Sequence, residues 1–370
     1  MNVKKIAALL LTIALAFGLF ACGQSGNNGS SNEKKEETTQ ESKEETAETA
    51  STDDSTVYTM RIGNTATYPS QPNVLMREFE SKIEEASGGK IDVELYEASA
   101  FGGPNEMIQG LQNGSFQGVV IPIGFYASAA PGSAVADIPY LFEDTEEYYW
   151  VMNGDTPLFD AYMESQGIVI AGWLCEASGD IHTTSKKIET LDDFKGLQIR
   201  TYSSSVYQNY ITSLGATPII MGTGDIPLAL QQGTIDGVQC GNTLSAPAKY
   251  GELCKYCLVD ATFPVPIPVC LSRDFMNGLP DDLRQMVLDT FAEMIEDKGE
   301  IGYTYSKQYI EDCYVELEQQ GCELVHASDE LIADMKEASA GVLDTFLKEF
   351  PDMEAAYKEI QASVEAYRAG

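Results

Sequence analysis

Apolar and polar positions follow two rhythms along this chain, and the order of those rhythms predicts an α/β fold. Met60 to Asn64 reads as a short strand. Leu75, Phe79 and Ile83 then recur at i, i+4 and i+8, one face of a helix that Pro72-Asn73 opens and Gly88-Gly89 stops. Ile91, Val93 and Leu95 alternate with Asp92, Glu94 and Tyr96, the period of a half-buried strand. A Gly-Gly-Pro turn leads into a second helix striped by Met107, Ile108 and Leu111. Gly118 to Ile123 is a continuous apolar run of buried-strand type. The order is βαβαβ, the unit of a parallel sheet covered by helices.

The same order recurs downstream. Leu197 to Thr201 is a strand, and Ser204 or Ser205 caps a helix running to Leu214. Thr217 to Met221 is the next strand, Asp225 caps a helix with Pro227 in its first turn, and Ile235 to Cys240 is the third strand. Two such units predict two lobes. A strand-like stretch near Val265 to Ser272 follows, then a long amphipathic helical run from Leu283 to about Gln320, and a helical tail from near Asp329.

Ahead of these units, Lys4 and Lys5 precede an uncharged apolar stretch, Ile6 to Phe20, of the length of a secretory signal core rather than a membrane span. It ends in Leu19-Phe20-Ala21-Cys22, which resembles a bacterial lipobox and marks Cys22 as the lipidation site of an exported chain. Residues 23–56 are Gly, Ser, Asn, Thr, Glu and Lys with almost nothing apolar, a composition that cannot offset ordering entropy. They read as a disordered acidic linker reaching roughly 30–35 Å, suited to a lipid-anchored protein on the outer face of a Gram-positive cell membrane. The 314 residues from Val57 onward (370 minus 56) are enough for two core-bearing lobes.

Charge narrows the partners. The formal net charge of −34, from 23 basic and 57 acidic residues, argues against nucleic acid and against attraction to anionic lipid. The cysteines beyond Cys22 (Cys175, Cys240, Cys254, Cys257, Cys270, Cys313 and Cys322) are odd in number, so at least one stays free or pairs between chains. Cys254-Lys255-Tyr256-Cys257 is a lone CxxC without a second pair or a thioredoxin-like context, and its role reads as structural. No cofactor or metal site is indicated.

In open parallel sheets ligands bind beyond the carboxyl ends of the strands. Arg200, one of six arginines, stands at such an end, and its rigid fork suits a carboxylate through two parallel hydrogen bonds. A single desolvated cation in a cleft outweighs the weak, salt-screened repulsion of a strongly anionic protein for an anion. Facing it from the first unit are Asn64, Thr65 and Tyr68 after the first strand and Pro122 to Phe125 after the third. Asn64 is either a ligand donor or a turn stabiliser, and Phe125 and Tyr202 are candidate walls. Trp150 and Trp173 read as core.

Several blocks carry a resemblance: Asp192-Asp193-Phe194-Lys195-Gly196-Leu197-Gln198-Ile199-Arg200, then Leu214-Gly215-Ala216-Thr217-Pro218, then Met221, then Ala229 to Gly237 (Ala-Leu-Gln-Gln-Gly-Thr-Ile-Asp-Gly). With Ile138-Pro139-Tyr140-Leu141-Phe142 and Leu271-Ser272-Arg273 before Leu279-Pro280, they are similar to the TRAP transporter (tripartite ATP-independent periplasmic) solute-binding family, the C4-dicarboxylate-binding group. The similarity runs from about Met60 to Phe350. It implies a two-lobed clamshell like the periplasmic binding proteins, each lobe a mostly parallel sheet flanked by helices, with long C-terminal helices. It further implies that a small organic acid is gripped by Arg200 and delivered to the membrane permease subunits of a TRAP transporter. Two positions depart from the family pattern. Ile181 and His182 stand where many relatives carry a second arginine, and Val238-Gln239-Cys240-Gly241-Asn242 follows Asp236-Gly237 where many carry an asparagine-proline pair. Gln239 or Asn242 is then the candidate amide for the ligand's second polar group.

The expected boundaries are 1–22 for the signal and lipidation site, 23–56 for the linker, and 57–178 with about 266–305 for lobe I. Lobe II is expected over 179–265 with about 306–350, and a helical tail over 351–370. Two rival functions share parts of this pattern. A secreted hydrolase finds little support: the only histidines are His182 and His326, and there is no HExxH or GxSxG. A solute receptor serving a sensor kinase or another transporter class shares every feature above except the partner.

Overall fold

The computed structural model describes residues 56–260, 264–296 and 302–370, the side chains of 175–177 excepted. The signal segment, Cys22 and nearly all of the linker lie outside the described residues, as does the side chain of Cys175. In chain order the first lobe begins with β1 (Tyr58–Gly63), α1 (Gln71–Ala86), β2 (Ile91–Tyr96), α2 (Pro104–Asn113) and β3 (Gly118–Val120). Two 3-10 segments, Ile123–Ser128 and Pro131–Asp137, lead to α3 (Thr145–Met152), α4 (Pro157–Ser165) and β4 (Ile168–Ser178). The second lobe is built from β5 (Ile181–Thr183), β6 (Gln198–Thr201), α5 (Ser205–Ser213), β7 (Thr217–Ile220), α6 (Ile226–Gln232), β8 (Gly237–Gln239), α7 (Asn242–Ser245) and β9 (Tyr256–Val259). Then come β10 (Pro264–Ser272), α8 (Arg273–Gly278), α9 (Asp281–Glu296), α10 (Tyr303–Gln319), β11 (Glu323–His326), α11 (Asp329–Ser339), α12 (Val342–Glu349) and α13 (Glu354–Ala369).

One sheet has the order β2-β1-β3-β10-β4, the other β11-β9-β5-β8-β6-β7. Each keeps the parallel pairs that the βαβ pattern demands, β1 with β2 and β3, and β6 with β7 and β8. Both sheets are nonetheless mixed. β10 runs antiparallel to β3 and β4, and β5 runs antiparallel to β8 and β9. The cause is connectivity: the chain leaves the first sheet by β4 into β5 and returns from β9 into β10, so the linking strands oppose the strands they join.

Packing follows the apolar stripes. Leu75, Phe79 and Ile83 of α1 are fully buried, and Phe79 stacks on Phe291 of α9 with ring centroids 3.9 Å apart. Burying one such ring stabilises the lobe by about 2–3 kcal/mol. The expected helical run from Leu283 to Gln320 resolves into α9, packed on α1 and β4, and α10, packed on α7 and β11. The tail also serves both lobes: α11 and α12 pack on α5, whereas α13 packs on α3 and α4. Trp173 is buried in the core, as expected, and Trp150 packs against it partly buried. No described helix is long and apolar enough to cross a membrane.

Candidate ligand-binding site at Arg200

β6 places Arg200. Its flanking strands end just beyond it, and the guanidinium reaches over those ends: Nε donates to the Met221 carbonyl after β7 at 3.1 Å, and Nη1 donates to the Gln239 carbonyl of β8 at 3.3 Å. Gly237 lets β8 lie this close to β5, because a Cβ there would sit 2.5 Å from the His182 carbonyl oxygen. Arg200 is completely buried, and no carboxylate of the described residues forms an ion pair with it. Its Nη2 is buried without a hydrogen-bond partner. Two rings cover the cation, Tyr202 at 4.6 Å and Phe125 at 5.6 Å from Cζ, each an attraction of about 0.5–2 kcal/mol.

Phe125 comes from the first lobe and meets Tyr202 of the second edge-on, with centroids 5.0 Å apart. The backbone joins them as well. Ser204 N–H and the Ser203 hydroxyl both donate to the Gly124 carbonyl at 3.0 Å. The structure therefore brings together Arg200, Phe125, Tyr202 and Gln239. In Gln239, Oε1 accepts from the Thr201 hydroxyl at 2.7 Å, while Nε2 is buried without a partner. Two buried donors, Arg200 Nη2 and Gln239 Nε2, thus stand on neighbouring strands with no acceptor.

The remaining expected residues are placed differently. Asn64 is fully buried, but its Oδ1 accepts from Ala66 N–H at 2.9 Å and its Nδ2 donates to Asn73, so its amide is engaged in the turn before α1. Asn242 gives its Nδ2 to the Ile310 carbonyl of α10 at 2.8 Å, and its buried Oδ1 has no partner. Tyr68 is 58 % exposed and lies under Arg77, whose guanidinium carbon is 4.5 Å from its ring; no described contact joins it to Arg200. Ser204 and Asp225 stand at the N-caps of α5 and α6, yet neither side chain makes a capping hydrogen bond.

Ser204 faces a residue that sequence reasoning missed. Asp137, from the 3-10 segment of the first lobe, is fully buried, with the hydroxyls of Ser204 and Tyr207 against it. Burial holds its carboxyl well above the usual carboxylate range, with those two hydroxyls opposing the shift. Its one signal was an acidic side chain inside an apolar run, Ala134 to Ile138. Deeper in the second lobe, burial also raises Asp180, which accepts from Tyr314 at 2.7 Å, and lowers His182 to about 4. Cys254 and Cys257 are buried free thiols. Among the described residues no cluster has the make-up of a metal site.

The family model of bacterial extracellular solute-binding proteins, family 7 (DctP), matches residues 65–349. The chain belongs to this family. Among its relatives is an uncharacterized protein YiiZ of Salmonella typhimurium, 27% identical over 217 residues, 58% of this chain and 66% of that one. The C4-dicarboxylate-binding periplasmic protein DctP of Rhodobacter capsulatus is 29% identical over 219 residues, 58% of this chain and 65% of the relative. These matches thus span just under two thirds of each relative. A TRAP periplasmic solute binding protein from Anaerococcus prevotii, solved with bound D-glucuronate, superposes with a TM-score of 0.77 at 24% identity, covering 84% of this chain and 99% of that one. The family 7 fold is the two-lobed one described above.

Proposed function

We propose that this chain is an extracytoplasmic receptor that captures a small organic acid and hands it to the membrane permease subunits of a TRAP-type secondary transporter. The observation that carries the reading is a fully buried guanidinium, held by two main-chain carbonyls and stacked by rings from both lobes, with one nitrogen still unclaimed. An unpaired buried cation is costly, and a carboxylate arriving as the lobes meet removes that cost. Contacts to both halves let the ligand bias the closed arrangement. On this reading Arg200, Gln239, Phe125 and Tyr202 form the site, Cys22 is the lipid anchor on the outer face of a Gram-positive membrane, and residues 23–56 are the tether. No turnover is required of such a receptor.

Calorimetry with D-glucuronate and a panel of organic acids tests the reading. The wild-type chain binds an acid and releases it chemically unchanged. Arg200→Ala loses about 2–5 kcal/mol of binding, and Arg200→Lys recovers only part, because two-point geometry is lost. Unchanged affinity in Arg200→Ala removes Arg200 from the site, and conversion of the acid removes the receptor reading.

A further inference from the structure

Charge is distributed unevenly inside this molecule. Among the described residues Arg200 is the only buried lysine or arginine, whereas Asp137, Glu147, Asp180 and Asp260 are all buried. Of these acids Glu147 has its own cation, Arg368, at 2.6 Å and 2.9 Å. Arg77 is engaged by Glu97, and Arg61 by Glu94. What the first lobe brings to Arg200 is an aromatic ring, Phe125, which receives no anion; the neighbouring Gly124 carbonyl is already taken by Ser203 and Ser204.

From this we infer that the ligand carries a single carboxylate, and that the site discriminates against acids with two. The inference rests on the receptor reading above. Arg200 Nη2 is an unclaimed donor on the buried cation, and a single carboxylate oxygen would take it. A second carboxylate enclosed by the same lobes would find no buried cation of the described residues, and an ion buried without a partner is heavily penalised. Recognition here is subtractive: one buried cation admits one charge, and a second charge has no partner. This separates the chain from a C4-dicarboxylate-binding relative such as that of Rhodobacter capsulatus.

The test uses acids paired by carbon skeleton: D-glucuronate with D-glucarate, butyrate with succinate, and benzoate with phthalate. Each is titrated calorimetrically into the full-length chain and into Arg200→Ala. The expected result is that at least one monoacid binds, that it does so about tenfold or more tightly than its diacid partner, and that Arg200→Ala abolishes it. A diacid bound as tightly as its monoacid or more so, with the binding lost in Arg200→Ala, overturns the single-carboxylate inference and leaves the receptor reading intact. If no acid of the panel binds, or binding survives in Arg200→Ala, both are overturned.

Discussion

Tyr202 sets its ring 4.6 Å from the guanidinium carbon of Arg200 while its Cβ lies against Gly124 of the other lobe. One residue therefore touches both the cation proposed to hold a ligand and the surface on which the lobes meet. A ring held by both constraints makes the position of Arg200 sensitive to how closely the lobes approach.

Gly124→Ala is the sharpest test of that coupling. The added Cβ would lie 2.9 Å from Tyr207 Cε2 and 3.0 Å from Tyr202 Cβ, and the second neighbour is fixed to the backbone and cannot swing aside. Relief requires the lobes to part, at about 1–3 kcal/mol. We predict that acid binding weakens roughly tenfold or more while the circular dichroism of the folded chain is unchanged. Wild-type affinity in Gly124→Ala would show that lobe contact at this point is not needed.

Asp137 gives the interface a pH dependence. Burial raises the folded carboxyl well above its ordinary 3.8, so the folded chain keeps a proton that the unfolded chain releases. The native state therefore loses stability relative to Asp137→Asn as pH rises from the unfolded value towards the folded one, and the loss levels off beyond it. Urea denaturation of both chains between about pH 4 and pH 8 should show the advantage of Asp137→Asn growing with pH. An advantage that is constant or shrinks with pH would mean that the carboxyl is not held neutral.

Much of the proposed site was legible because it rests on local rules. A strand period ending in a rare arginine located Arg200, and the apolar run after β3 located Phe125. The alternation at Ile91–Tyr96 and the stripe of Leu75, Phe79 and Ile83 matched β2 and α1. What failed was tertiary. β4 combines a long apolar run with Gly172 and shows no alternation, so its role as the exit strand was hidden. Ser204 had the residue type of a cap, yet its hydroxyl faces Asp137, a partner that only the meeting of two lobes supplies. Asn64 stood in the expected place, but its amide is taken up by Ala66 and Asn73.

The C-terminal tail is held by an ion pair with one buried partner. Glu147 has a side chain only 4% exposed and takes both hydrogen bonds of Arg368, which lies at the end of α13. Arg368→Ala leaves that carboxylate without its cation and should lower stability by about 1–3 kcal/mol, less than for a wholly buried pair because Arg368 is partly exposed. Adding Glu147→Gln should restore most of the loss. Thermal unfolding of the single and double variants measures this, and equal loss in both would assign the effect to packing of α13 alone.

Arg200 Nη2, buried and unclaimed, is the atom that a bound acid is expected to reach. A crystal structure of the full-length chain with a bound acid measures this directly. The expected result is a carboxylate oxygen at about 2.7–2.9 Å from Nη2. An acid seated elsewhere, with no oxygen in reach of the guanidinium, would contradict it.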